Sequence, residues 1–366
     1  MNFPVNYASV IERINAIDPI QYGKTRNFID GAVTYLSPYL SRGIITLPQV
    51  RDSVLQKGYK PFQIEKFLQE LAWREFFQRV WFAKGHELLK DLKQPQQDIA
   101  HEQMISAVAH AQTGIDGIDE QIRRLLETGY MHNHVRMYVA GITCNIGKAY
   151  WLQPSRWMYY HLLDGDIASN TCSWQWVAGS FSSKKYIANQ ENINRYLKTN
   201  QQQTFLDHSY ETIFDQPIPE SLKETNELNL TTTLPSTNAD LRIDPSKDIC
   251  VYTSYWLNPQ WRSTEDCNRI LLLEPLHFEQ FPVSEKVMQF ILDAAIANIN
   301  GLQIFVGSFE ELQQQIAPQQ KVYFIDHPLH RHFKGWADTY PWMFPNVTGS
   351  FGSFFSFWKK AERYLK

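Results

Sequence analysis

The hydrophobic rhythm of the chain changes partway along. Up to about residue 205, apolar residues recur at three- and four-residue intervals, the spacing of one helix face. QIEKFLQELAWREFFQRVWFAKG keeps that spacing and stops at Gly85. IDEQIRRLLETGYM predicts a second helix ending at Gly129, NHVRMYVAGITCNIGKAYW a third, and PSRWMYYHLLDGDIASN a fourth entered through Pro154. Between about 206 and 248 periodicity is lost. IPESLKETNELNLTTTLPSTNADLRIDPSKD is polar and rich in Thr, Asn and Pro, which reads as a linker or a long surface excursion. From Ile249 short apolar runs of strand composition take over: ICVYTSYW, RILLLEP, LQIFVGSF and KVYFIDHP. The amphipathic helix SEKVMQFILDAAIANI lies between the second and third runs, and a weaker one, FEELQQQIA, precedes the fourth. Strands alternating with helices predict a small parallel α/β sheet, followed by an aromatic tail, GSFGSFFSFWKKAERYLK, that turns helical. The expected organisation is a helical domain over 1–205, a polar linker over 206–248 and an α/β domain over 249–366.

Composition sharpens this only in places. The net charge is −3, from 35 Lys+Arg against 38 Asp+Glu, which does not advertise a polyanion partner. A local basic cleft can still bind DNA on such a protein. The four cysteines, Cys144, Cys172, Cys250 and Cys267, show no CxxC spacing, which argues against a disulfide framework or a zinc site and fits a reducing cytosol. MNFPVNYASVIERINAIDP has no signal-peptide core, and no apolar run approaches the ~18 residues of a membrane helix. A cytoplasmic protein without a membrane partner is expected. Aromatic residues are abundant, with 11 Trp, 18 Tyr and 22 Phe. A large aromatic core explains them more simply than a flat π-ligand, stacked bases or a redox path.

Four short segments carry candidate chemistry. In QELAWREFF, Glu70, Trp73, Arg74 and Phe77 fall at i, i+3, i+4 and i+7 and share one helix face. Glu70 and Arg74 suit an exposed ion pair, but Trp73 beside them makes the face look like a pocket wall. In HNHVRMYV, His132 or Asn133 opens a helix, Asn133 reads as its N-cap and Arg136 as a surface charge. In AVTYLSPYLSRG, Thr34 and Ser37 precede Pro38, a helix entry whose free N–H groups can bind phosphate. In DGDIASNTCSWQW, Asp164 and Asp166 could chelate a cation, form an acid/base pair or accept hydrogen bonds from a ligand. Trp174 and Trp176 point in different directions at i and i+2. DHPLHRH offers Asp326, His327, His330 and His332, and structural loop histidines are a better reading there than a metal site. No metal is predicted.

Taken in order, YGKTRN…TYLSPYLSRG, ELAWREFF, MHNHVRM and DGDIASN…WQW resemble the photolyase/cryptochrome flavoprotein family, from about Tyr22 to Trp176. The resemblance implies a mainly α-helical FAD-binding domain of photolyase type, followed here by a small Rossmann-like α/β domain. It implies FAD as cofactor, with Tyr22, Val33, Thr34, Tyr35, Leu36 and Ser37 matching the segment that holds it, Thr34 and Ser37 lying near its phosphates. Arg74 and Arg136 match arginines of the FAD cleft, Asp164 and Asp166 match its acids, and Asn170 matches the residue facing the flavin N5. Asparagine at that position resembles photolyases, whereas plant cryptochromes carry an acid.

Substrate-side positions match as well. Glu70, Trp73, Asn133, Met137 and Trp176 occupy the places that contact a flipped-out cyclobutane pyrimidine dimer, and Arg26 matches a DNA-backbone contact. The (6-4) photolyases carry histidines where this chain has Asn133 and Met137. Two aromatic walls can stack on extruded bases, while a carboxyl and an amide can bond their edges. Trp174 and Trp151 match the proximal and middle tryptophans of the family's electron path. The distal one is missing near residue 98, where the chain reads QPQQDIAH, so Tyr130, Tyr150 or Trp157 could end the path.

The implied activity is that of a deoxyribodipyrimidine photolyase, a carbon–carbon lyase that repairs damaged DNA in blue light. Glu70, Asn170, Trp174 and Trp151 are its expected catalytic residues. The alternative is a cryptochrome-like photoreceptor without repair activity. Family members begin with an α/β antenna domain, which the C-terminal strands here loosely resemble, so a circular permutation is expected. The antenna chromophore is not identified. KKYIANQENINRY is similar to a segment of the iron–sulfur relatives, but a set of cluster cysteines is lacking and no cluster is predicted.

Overall fold

The computed structural model describes residues 3–238 and 240–365. It divides into two compact units: one of Ile20–Val33 and Ala83–Leu230, the other of Met1–Pro19, Thr34–Phe82 and Thr231–Lys366. They are called here the helical unit and the mixed unit. The division runs across the boundaries expected at 205 and 248, because early helices cluster with the late strands. The fold class read from the sequence is present, with helices first and a parallel five-stranded sheet near the C-terminus. Among the described residues, no helix is long and apolar enough to cross a membrane.

In the helical unit, the helix Asp116–Thr128 buries Ile118, Ile122 and Leu125 completely. Each such side chain contributes roughly 1.5–3 kcal/mol by leaving water. The carboxylate of Asp119 closes the preceding loop, accepting from Thr113 N at 2.9 Å and Gly114 N at 3.1 Å. The helix ends at Gly129, whose φ is +74°. A Cβ there would lie 2.7 Å from Leu163 Cγ, and the Leu163 N–H bonds the Gly129 carbonyl at 2.8 Å. Glycine therefore seats the loop that carries Asp164.

The helix Asn133–Gly141 continues into a wider, fully buried turn, Ile142–Ile146. The helix around Pro154 spans Leu152–His161 and so starts two residues before the proline. Trp151, Trp157 and Trp174 join one core with these helices. The polar stretch after 205 is anchored in places. Leu206, Ile213 and Leu222 enter the same core, and Thr225–Asn226 (β2) pairs antiparallel with Met104–Ile105 (β1).

In the mixed unit, β3 (Asp248–Tyr252), β4 (Cys267–Leu273), β5 (Leu302–Val306), β6 (Val322–Ile325) and β7 (Trp336–Asp338) form one parallel sheet in the order β5-β4-β3-β6-β7. Ile249, Val251, Ile270, Leu272, Phe305 and Phe324 pack on one side with Phe309 and Phe333. β7 is missing from the sequence reading because it is short and exposed and lacks apolar alternation.

Strand order reverses between β3 and β6, and in such sheets the crevice beyond that point is the usual ligand site. Here ring side chains fill it. His327 lies 4.8 Å from Trp81, 5.3 Å from Tyr255 and 5.1 Å from His330. His330 joins the Ile325 carbonyl at 2.9 Å and Thr253 Oγ1 at 3.1 Å. Burial drives His330 down to about 4 and nearby His277 to about 3, and holds His327 well below the ordinary histidine value.

Candidate functional site

Within the helical unit, the Asp164–Phe181 stretch has a distinct task for each polar residue. Both carboxylate oxygens of Asp164 accept from one guanidinium nitrogen, Arg136 Nη2, at 3.0 and 2.9 Å. Arg136 is thus a partner inside the fold, where a surface charge was expected. It also donates to the Met131 carbonyl at 2.9 Å and lies 5.7 Å from the Tyr130 ring centre. Gly165 is required by close approach, since a Cβ would sit 2.8 Å from the Tyr159 carbonyl oxygen. Asp166 caps the helix Ile167–Ala178, accepting from Ser169 N and Oγ at 2.7 Å each. An N-cap acid contributes about 1 kcal/mol and suits the positive helix end. Both acids accept hydrogen bonds from the protein itself, Asp164 from Arg136 and Asp166 from Ser169.

Asn170 and Trp174 follow four residues apart on that helix and share a face. The Asn170 amide donates to the Ser155 carbonyl at 2.9 Å. Trp174 is buried, and its indole N–H has no acceptor among the described residues. Nε of Arg156, beside Ser155, is likewise buried without an acceptor, and burial lowers the guanidinium pKa. Trp176 is half-buried with its ring 5.7 Å from Tyr186.

Trp151 is fully buried and held on two sides. Its indole N–H donates to Asp91 Oδ1 at 2.7 Å, and its backbone N–H to Gln96 Oε1 at 3.0 Å. Gln96 belongs to the segment where a distal tryptophan is missing. Tyr150 is half-buried next to it, ring centres 5.6 Å apart, with its hydroxyl 3.4 Å from the same Asp91 oxygen. Burial first, and Asp91 second, push the Tyr150 phenol up to about 12. Of the other aromatics considered for the path's end, Trp157 lies in the core with His161 at its edge, and Tyr130 is buried under Arg136.

The remaining expected residues of this unit lie near its surface. The cap of the helix Asn133–Gly141 is His132, accepting from His134 N at 3.2 Å, and Asn133 is the exposed first helical residue. This corrects the N-cap reading of Asn133: the imidazole nitrogen reaches the free amide from one position earlier. Burial lowers His132 to about 4. Met137 is half-buried against the core. Tyr22 is half-buried on the short helix Pro19–Thr25, and Arg26, just past its end, donates to the Gly23 carbonyl at 3.1 Å.

The other expected residues belong to the mixed unit, apart from Val33, which ends a segment of the helical unit. Tyr35 has φ +54°, a backbone conformation uncommon outside glycine, and Leu36 N bonds Thr34 Oγ1 at 3.4 Å. Ser37 opens the helix Ser37–Ser41, which has no side-chain cap. Arg74 reaches Ser41 Oγ at 2.7 Å from the helix Glu65–Lys84. Glu70 and Trp73 are half-buried along that helix. One face of Trp73 is covered: Phe354 stacks on it at 3.8 Å with planes 10° apart.

Asp91, Gln96, Arg156 and Phe354 were not among the residues singled out from sequence. Asp91 and Gln96 carry no periodic signal, and Phe354 sits in a tail whose aromatic content alone does not name its partner.

A family model described as the FAD binding domain of DNA photolyase matches residues 67–225. The deoxyribodipyrimidine photo-lyase of Alkalihalophilus pseudofirmus is 30% identical over 148 residues, 39% of this chain and 30% of that protein. That of a Synechococcus species is 32% identical over 199 residues, 48% and 41% of the two chains. A solved cryptochrome from Synechocystis aligns at 24% identity over 54% of this chain and 44% of its own, with a TM-score of 0.46. The chain therefore spans less than half the length of these relatives. The donor set fits the cofactor of that domain, because the orphaned N–H groups of Trp174 and Arg156 call for the acceptor oxygens and nitrogens that flavin and phosphate groups carry. Residues 67–225 are thus similar to the FAD binding domain of DNA photolyase, and FAD is the cofactor that this match assigns to them.

Proposed function

We propose that this protein is a light-driven flavoenzyme that splits cyclobutane pyrimidine dimers in DNA. The observation that carries the reading is the helical-unit constellation of Arg136–Asp164, Asp166, Asn170 and Trp174, lying inside the matched segment. When bound and reduced, FAD supplies the electron that cleaves the dimer under blue light. The chain's residues supply position and charge. Arg136 and Asp164 hold each other rigid at the cofactor, Asp166 fastens the helix start, and Asn170 presents an amide clamped by Ser155. Tyr22 and Val33 of the helical unit are assigned to the cofactor's polar parts, as are Arg74 and the Thr34–Ser37 run of the mixed unit. On the helical unit, Asn133 bonds a pyrimidine edge, Met137 and Trp176 pack on the bases and Arg26 meets a phosphate; on the mixed unit, Glu70 and Trp73 are the residues assigned to the substrate.

Trp174 and Trp151 pass electrons inward. Asp91 Oδ1, already accepting the Trp151 indole N–H, takes that proton when Trp151 gives up an electron; Tyr150 can then refill Trp151, its electron passing to the indole and its phenol proton to Asp91 as the carboxyl returns the first proton to the indole nitrogen. The C-terminal α/β segment would be an antenna-like domain in a permuted position, consistent with its parallel sheet.

One observation favours the second reading, a cryptochrome-like photoreceptor. Phe354 already occupies a face of Trp73 that a damaged base would use. Binding tests separate the two readings. The FAD-loaded protein should retain a dimer-containing oligonucleotide more tightly than the undamaged one, more weakly as salt rises, and Phe354→Ala should not weaken that preference. Equal affinity for both oligonucleotides, in the wild type and in Phe354→Ala alike, would favour the photoreceptor.

A further inference from the structure

Cys250 and Cys267 lie on neighbouring parallel strands of the mixed unit. Asp248 pairs with Cys267 and Cys250 with Arg269, so the cysteines are diagonal neighbours on one sheet face. Their sulfurs are 2.8 Å apart. A disulfide needs about 2.05 Å, an approach of only about 0.8 Å. We propose that Cys250 and Cys267 are an oxidisable dithiol that closes to an intramolecular disulfide under a hydroperoxide, with Cys267 as the attacking sulfur and Cys250 as the resolving one.

Geometry assigns the roles. Cys250 is fully buried, whereas Cys267, the first residue of β4, is 8% exposed and is the more accessible residue of the two. The Arg269 guanidinium bonds the Cys267 carbonyl at 3.3 Å and the carbonyls of Arg262 and Glu265 at 3.0 and 2.9 Å, which places a fixed positive charge beside this thiol. The hydrogen bond from Cys250, then Arg269 and Arg262, lower the Cys267 thiol, while the same bond and burial raise that of Cys250. A thiolate beside cations is the reactive form.

The chemistry balances in two steps. The Cys267 thiolate attacks one peroxide oxygen, the O–O bond breaks, hydroxide leaves and takes a proton to become water, and Cys267 becomes a sulfenic acid. The Cys250 sulfur then attacks Cys267, the S–S bond forms and the sulfenic oxygen leaves as a second water, carrying the Cys250 proton. The peroxide gains two electrons and the two thiols lose them. The bridge ties β3 to β4 at the base of the loop that carries Trp256 and Trp261. Cys144 and Cys172 are fully buried with raised thiols and stay outside this chemistry.

The test uses the full chain, first reduced and then titrated with hydrogen peroxide. Free thiols should fall from the four of the sequence to two. Peptide mapping should find one linked pair, joining Cys250 to Cys267, lighter by two hydrogens and restored by dithiothreitol. Cys250→Ser should stop at a Cys267 sulfenic acid trapped by dimedone, and Cys267→Ser should leave Cys250 unreacted. Four thiols persisting at peroxide levels that oxidise free cysteine would overturn the proposal. So would a bridge to Cys144 or Cys172, or dimedone trapped on Cys250. The wild-type thiol count and map stand even where a variant folds poorly.

Discussion

Asp164→Asn tests the ion pair at the centre of the helical-unit site. The side chains of Asp164 and Arg136 are 4% and 18% exposed, so solvent screens them little. Removing one partner of a buried pair costs roughly 3–5 kcal/mol when the other charge is stranded. Arg136 is not wholly stranded, because it keeps the Met131 carbonyl and the Tyr130 ring, and asparagine retains one acceptor. The expected loss is therefore about 2 kcal/mol, near the value of a charge-assisted hydrogen bond. Urea unfolding followed by circular dichroism reads this as a lower midpoint at unchanged slope. A cycle with Arg136→Met isolates the pair and should give a coupling of at least about 1 kcal/mol. Asp164→Asn within about 0.5 kcal/mol of wild type, or strictly additive variants, would refute the claim that this pair holds the loop.

Three further outcomes are expected. Gly129→Ala combines a left-handed backbone with a collision against Leu163, and should cost roughly 2–4 kcal/mol in the same unfolding assay and lower FAD retention; wild-type stability would contradict the close-approach argument. His277, His327 and His330 are held neutral by burial, so the unfolded chain takes up protons the folded one refuses as pH falls below about 6.5. Stability should accordingly be full above that pH and drop towards pH 4 by up to about 1.4 kcal/mol per pH unit per histidine; a flat urea midpoint between pH 7.5 and 5 would count against it. Asp91→Asn removes the proton acceptor of Trp151, and in FAD-loaded protein it should slow light-driven flavin reduction at least severalfold without releasing FAD; an unchanged rate by absorbance would remove Asp91 from the path.

The helix Glu65–Lys84 and the strands β3 to β6 were legible because burial imposes periods of 3.6 and 2 on their apolar residues, or leaves short apolar runs. The DGD segment was legible as an odd cluster, yet its bonds to Arg136 and Ser169 were not, because the Arg136 contact joins residues 28 positions apart. Asp91 escaped notice because its partner Trp151 is 60 residues away and no local pattern marks such a contact. The stacking of Phe354 on Trp73 spans a longer separation still. The assembly of the first helices with the last strands was hidden for the same reason, since composition changes along the chain say nothing about which distant segments pack together.

The most direct measurement is light-dependent repair by the intact, FAD-loaded and reduced protein. A thymine-dimer oligonucleotide should be restored to its undamaged form in blue light and not in the dark, and Glu70→Ala combined with Trp176→Ala should lose most of that activity while keeping FAD. Reduced, flavin-bound protein that leaves the dimer intact after prolonged illumination would contradict the account.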